Sequence, residues 1–156
     1  MSNLFPFALF FHIIGITLIA GGSIGGLVLE RQVYRYFHQT PSKAIVLAPL
    51  MNRYPIIIQA GAVLMLLSGL TMLYTLHWAV VSELWFIIKM CLYVALILNG
   101  LLVAKPTGMK LGRLLAMAPS ETTNQQFRIL KRRMTIFHIT EFSMLAMIYL
   151  LAIYRF

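Results

Sequence analysis

An all-α integral membrane protein built as a bundle of four transmembrane helices is the fold class this sequence predicts, and three observations carry that reading. Hydrophobic residues fill 60% of the 156 positions, and mean hydropathy is +0.84, more than a soluble domain of this length needs for its core. Four apolar runs, at residues 7–29, 56–76, 84–104 and 134–154, each reach the roughly 20 residues that cross a hydrocarbon core of about 30 Å. The runs are nearly continuous rather than alternating, which excludes a transmembrane barrel. Finally, the charge is one-sided. Of the thirteen lysines and arginines, eleven lie in the first and third connections, and the second connection, around His77 to Glu83, has none. By the positive-inside rule the first and third connections are cytoplasmic, and both termini lie on the outer, periplasmic side. The net charge of +9 is then a basic rim against anionic lipid, and no nucleic-acid partner is needed to explain it.

The first run carries no formal charge over residues 7–29, yet it holds His12 and five glycines. At about 100° per residue, His12, Gly15, Ile19, Gly22, Ser23 and Gly26 share roughly a third of the circumference. Small residues on one stripe let a second helix approach closely, so His12 faces protein or cofactor rather than lipid. The N-terminus lacks a basic region and a small-residue cleavage site, and the first helix is expected to be retained. Glu30 to Phe37 has neither glycine nor proline, so the helix is expected to continue past the lipid boundary. Thr40-Pro41 reads as an N-cap and first helical position opening a short amphipathic piece. Pro49 and Pro55 bracket the entry to the second run, which carries a further small stripe at Gly61, Ser68 and Gly69. Trp78 and Trp85 flank the tight second connection as interfacial anchors. His77 reads as interfacial and His38 as a solvated residue. The third helix is expected to end at Lys105-Pro106, followed by a surface loop or interfacial helix up to Pro119. From Ser120, a candidate N-cap, no glycine or proline interrupts the chain, and the last helix is expected to extend several turns into the cytoplasm.

Helix rise sorts the intramembrane polar residues into two layers. His12 and Lys89 lie at similar depth near the outer surface and can face each other. Gln59, Asn99, His138 and Glu141 form the inner layer, and the i, i+3 spacing lets His138 and Glu141 touch each other or one ligand. His12 either bonds a neighbouring helix or ligates a cofactor; Lys89 either snorkels or serves a site. His138 and Glu141 form either a helix-joining pair or a ligand site. The chain has no aspartate and one cysteine, Cys91, which excludes a serine, histidine and aspartate triad, paired-cysteine metal knuckles and an intramolecular disulfide. Imidazole in a membrane bundle can hold haem iron, with His12 the best metal ligand; His138, about 15 Å deeper, is a poor second ligand to the same iron.

His12 followed ten residues later by Gly22, then Leu67-Ser68-Gly69-Leu70, then Trp85-Phe86-Ile87-Ile88-Lys89, resembles a superfamily of small four-helix bacterial membrane proteins. It contains the J-type protoporphyrinogen oxidases, the membrane domain of CopD-type copper-resistance proteins, and an uncharacterised integral membrane family of similar length. The resemblance implies an inner-membrane protein with haem b or a related porphyrin held through His12, an essential lysine at Lys89, and electrons leaving toward a quinone or another respiratory-chain acceptor. His138 is a further candidate for cofactor binding, and Glu141 joins Lys89 as a candidate catalytic residue. Two positions depart from the oxidase pattern. Asn99-Gly100 stands where those enzymes carry a histidine, and Thr140-Glu141-Phe142-Ser143 keeps only the glutamate of the motif opening their last helix. The rival expectation is a non-enzymatic membrane protein for copper handling or complex assembly, its polar residues used to join helices. The partners expected are the lipid bilayer and further copies of the chain in a homo-oligomer; a channel would require such an oligomer, with the glycine stripes between protomers.

Overall fold

The computed structural model describes residues 4–51, 53–115 and 121–154. Every regular element among them is helical: α1 (Leu4–Gln39), α2 (Pro41–Met51), α3 (Tyr54–Thr75), α4 (Leu84–Asn99), a π-helical turn (Gly100–Ala104), α5 (Lys105–Leu115) and α6 (Glu121–Ile153). Four stretches are long and apolar enough to cross a membrane: Leu4–Phe37, Ser42–Thr75, Leu84–Leu115 and Glu121–Ile153. Large apolar side chains such as Phe10, Ile13, Val63, Leu67 and Ile139 are exposed along them, as expected of surfaces whose solvent is lipid.

α1 continues for 36 residues, about 54 Å, because no proline or glycine follows Gly26 to stop it. It meets α2 at a single residue. The N–H of Thr40 still donates to Tyr36, while the Thr40 carbonyl accepts the N–H groups of Lys43 and Ala44. Pro49 falls inside α2 rather than between elements, and α3 opens with proline in its first turn, where a missing N–H costs no helical bond. The α3–α4 connection is closed by a bond from the Trp78 N–H to the Leu73 carbonyl, 3.2 Å. That closure holds His77 and Trp78 at positive φ, 49° and 62°.

The third span does not stop at Lys105-Pro106. Over Gly100–Ala104 the chain widens into a π turn, with the Lys105 N–H bonding back to the Gly100 carbonyl. Pro106, which has no N–H to give, then sits in the first turn of α5, and helical structure runs on to Leu115. Here the sequence expectation of a helix end is corrected: the π turn absorbs the proline. α5 is a helix rather than a loop, and it turns Thr107, Leu111, Leu114 and Leu115 into the protein. Pro119 and Ser120, and the side chain of His38, lie outside the described residues.

Two apolar clusters hold the bundle. One joins Ile19, Met65, Tyr93, Leu96, Leu145 and Ile148 between the spans. The other joins Val33, Tyr34 and Phe37 of α1, Leu111, Leu114 and Leu115 of α5, and Phe127 and Leu130 of α6; there Phe37 stacks on Phe127 at 4.0 Å and 10°. This second core packs the extensions of the spans, all on the basic side. α1 and α3 form the tightest pair, and glycines set its approach. A Cβ on Gly15 would stand 2.9 Å from the Gly61 oxygen and the Met65 nitrogen, and one on Gly61 would stand 2.8 Å from the Gly15 oxygen. Backbone therefore meets backbone, the close crossing that small residues permit in lipid.

Candidate functional site

The polar side chains gather in two places. In the outer half, His12 of α1 projects onto α3. Its Nδ1 is 3.2 Å from the Met65 carbonyl oxygen and 3.1 Å from Ser68 Oγ. Ser68 uses its own proton on backbone carbonyls, with Leu64 O at 2.7 Å. Both neighbours of Nδ1 thus accept, so Nδ1 carries the proton and the Nε2 lone pair is directed elsewhere. Gly69 completes the seat, with the place of its missing Cβ 3.5 Å from His12 Cε1. Lys89 of α4 stands close enough to act on the His12 ring electrostatically, and Tyr93 on the same face of α4 donates its hydroxyl to the Ala62 carbonyl at 2.7 Å.

In the inner half, α1 and α6 run antiparallel and exchange four polar side chains. Ser23 donates to Glu141 Oε1 at 2.8 Å. His138 Nε2 is 2.7 Å from Glu30 Oε2, and Tyr34 donates its hydroxyl to Glu30 Oε1. On the other edge of the ring, His138 Nδ1 pairs with Glu141 Oε2 at 3.4 Å, and neither atom has a hydrogen-bond partner among the described residues. Glu30, Glu141 and His138 are 3%, 4% and 7% exposed. Charges this deeply buried are retained where they are paired.

Beside the cluster lies a partly open cavity of about 1000 Å³. Its wall includes Gly26, Gln59, Leu96, Gly100 and Leu101, with Glu30, His138 and Glu141 in its lining. Asn99 is tied to α6 by a long bond, 3.5 Å, from Nδ2 to the Phe137 carbonyl.

The four candidate residues therefore do not form one site. His12 and Lys89 share the outer locus, His138 and Glu141 the inner one. Glu30, the partner of His138, is eighteen residues along α1 from His12, about 27 Å of helix, so His12 and His138 cannot serve one iron. Glu30 was missed from sequence because it is the first charge after an uncharged run and reads as a boundary. Its signal was present: Ser23 and Glu30 are seven residues apart, and Gly26 and Glu30 four, which continues the polar and small stripe of α1. Gln59 lines the cavity rather than bonding to Glu141, whose partner is Ser23.

No group of three or more His, Cys, Asp or Glu suited to a metal ion occurs among the described residues. The geometry says why: Glu30 and Glu141 approach opposite nitrogens of one imidazole, so their oxygens diverge. The glycines also divide. Gly15, Gly22 and Gly25 are filled by α3, where added Cβ atoms would meet Gly61, Ile58 and Tyr54, whereas Gly21 and Gly26 face open space.

A sequence-family model described as "Predicted integral membrane protein (DUF2269)" matches residues 7–156. The chain belongs to this family. No curated protein and no solved structure matches it. Membership of DUF2269 accords with the four apolar spans and makes the protein a multi-pass membrane protein. Neither haem nor a reaction is part of that family description.

Proposed function

We propose that this protein is a bacterial inner-membrane protein, with both termini on the periplasmic side, that binds a b-type haem or related porphyrin through His12 and serves redox chemistry resembling protoporphyrinogen oxidation. The observation that supports the reading is the seating of His12 Nδ1 against two acceptors, from which its tautomer follows. With Nδ1–H held by the Met65 carbonyl and Ser68 Oγ, the ring is oriented from behind and presents the Nε2 lone pair, the arrangement in which histidine serves as an axial or metal ligand. Haem bound there would supply one-electron chemistry. Lys89 would draw a propionate to its ammonium, Ser68 would fix the ring, and a quinone is the acceptor class that a bilayer supplies.

The test is a reduced-minus-oxidised absorption spectrum of protein purified with haem available during expression, beside His12→Ala. The expected result is a Soret and alpha-band pair lost in the variant, with Lys89→Ala failing to complement an oxidase-deficient strain. Colourless, folded wild-type protein would overturn the haem reading. It would leave the second reading, a non-enzymatic bundle whose polar groups join helices, which the Ser23–Glu141 and Glu30–His138 contacts favour.

A further inference from the structure

The inner cavity, about 1000 Å³, separates two halves of the bundle. α3 packs chiefly on α1 and α4 chiefly on α6, and a bond from the Tyr93 hydroxyl to the Ala62 carbonyl ties α3 to α4 across the space. The facing walls are aliphatic, with Ile58 and Ala62 from α3 opposite Leu96 and Leu101 from α4 and its π turn. Ile56 of α3 and Leu101, both on the lining, are exposed, so the space opens between these two spans toward lipid. Glu30 and Glu141 also belong to the lining. Their carboxylates are turned into the cluster with Tyr34, His138 and Ser23, and at 3% and 4% exposed these residues present little charge to the space.

Beyond the π turn the lining becomes basic. Lys105 and Arg113 of α5 border the cavity, are exposed, and have no ion-pair partner among the described residues. The twenty-one positions from Leu84 to Lys105 make about 32 Å of helix, against a hydrocarbon core of about 30 Å. Lys105 therefore stands at the level of the lipid phosphates, and Arg113 two turns beyond it. Along the same wall lie Gly100, Gly108 and Gly112, where a Cβ would meet nothing within 4 Å. The missing side chains keep a path open from the two cations to the aliphatic walls.

We propose that this cavity holds one acyl chain of an anionic phospholipid from the leaflet at the basic ends of the spans, the chain lying between α3 and α4 and the phosphate paired with Lys105 and Arg113. The two parts of the site match the two parts of one molecule: aliphatic walls suit a hydrocarbon chain, and cations at phosphate depth suit an anionic headgroup. A neutral apolar molecule leaves the cations unused, and a free phosphate leaves the apolar walls uncovered. The lateral opening lets the chain enter from the bilayer without crossing water. The proposal is independent of haem at His12.

The test is native mass spectrometry of the full chain, delipidated in a non-ionic detergent and titrated with phosphatidylglycerol or with phosphatidylcholine of the same acyl chains. One phosphatidylglycerol per chain should be retained at concentrations at least about tenfold below those at which phosphatidylcholine binds, and inorganic phosphate should not displace it. Lys105→Gln combined with Arg113→Gln should remove the preference. Lys131→Gln combined with Arg132→Gln, the same loss of charge away from the cavity, should keep it. Gly100→Phe and Gly108→Phe, which fill the cavity and retain both cations, should each weaken retention about tenfold or more while gel filtration and helical content stay unchanged. The proposal is overturned by equal retention of the two lipids, by displacement with inorganic phosphate, by loss of the preference in the Lys131 and Arg132 variant, or by retention that survives the filled cavity. The lipid and phosphate comparisons need no variant, and they decide alone if the substituted proteins do not fold.

Discussion

Glu30 is the residue on which the inner half depends. Its two oxygens accept from Tyr34 and His138, so its loss strands a buried imidazole and a buried phenol together. Removing one partner of a buried pair costs about 3–5 kcal/mol, whereas truncating an exposed neighbour such as Arg31 stays within about 0.5 kcal/mol. Glu30→Ala should therefore lower the unfolding midpoint in mixed detergent far more than Arg31→Ala. Ser23→Ala, which removes one donor from Glu141, should cost about 1–2 kcal/mol. Equal effects of Glu30→Ala and Arg31→Ala would refute the pairing. The i, i+3 relation of His138 and Glu141 was legible in the sequence because it is local to one helix. The pairing of His138 with Glu30 spans 108 positions, and no local pattern encodes it.

Among the elements, α1 carries most of the organisation, and its glycines have two different jobs. Gly15 meets Gly61 backbone to backbone, while Gly21 faces open space. Gly15→Leu and Gly61→Leu should each destabilise the protein by about 2 kcal/mol or more through overpacking. Gly21→Leu should be close to neutral, as measured by thermal unfolding in detergent. A neutral Gly15→Leu would show that α1 and α3 do not cross there. A packing stripe could be read from helical periodicity, but which glycine touches a neighbour could not, since the stripe is defined before any partner is. The third span gives the complementary lesson. Lys105-Pro106 reads as a stop because proline ends most helices, yet one π turn lets helical structure continue from α4 into α5.

For the whole molecule, the basic residues and the second apolar core coincide. Exposed Lys131, Arg132 and Arg133 lie on the extension of α6 whose other face contributes Phe127 and Leu130 to that core, so the extended ends form a small second bundle that carries a basic surface. With Cys91 replaced by serine, a cysteine at Ser82 in the second connection should react with a membrane-impermeant maleimide in intact spheroplasts, and one at Arg132 only after lysis. The reverse pattern would invert the proposed topology. What the sequence by itself determined is the membrane class, the four spans and the two polar layers, because bilayer thickness, helix rise and charge asymmetry act on the chain locally. What only the tertiary structure decided is that α1 and α6 bring Glu30 to His138, which side chains each polar layer joins, and that a cavity stands beside the inner one. Those depend on which helices become neighbours, and in lipid that choice is made by side-chain fit between helices distant in sequence, not by hydrophobicity, which every span shares.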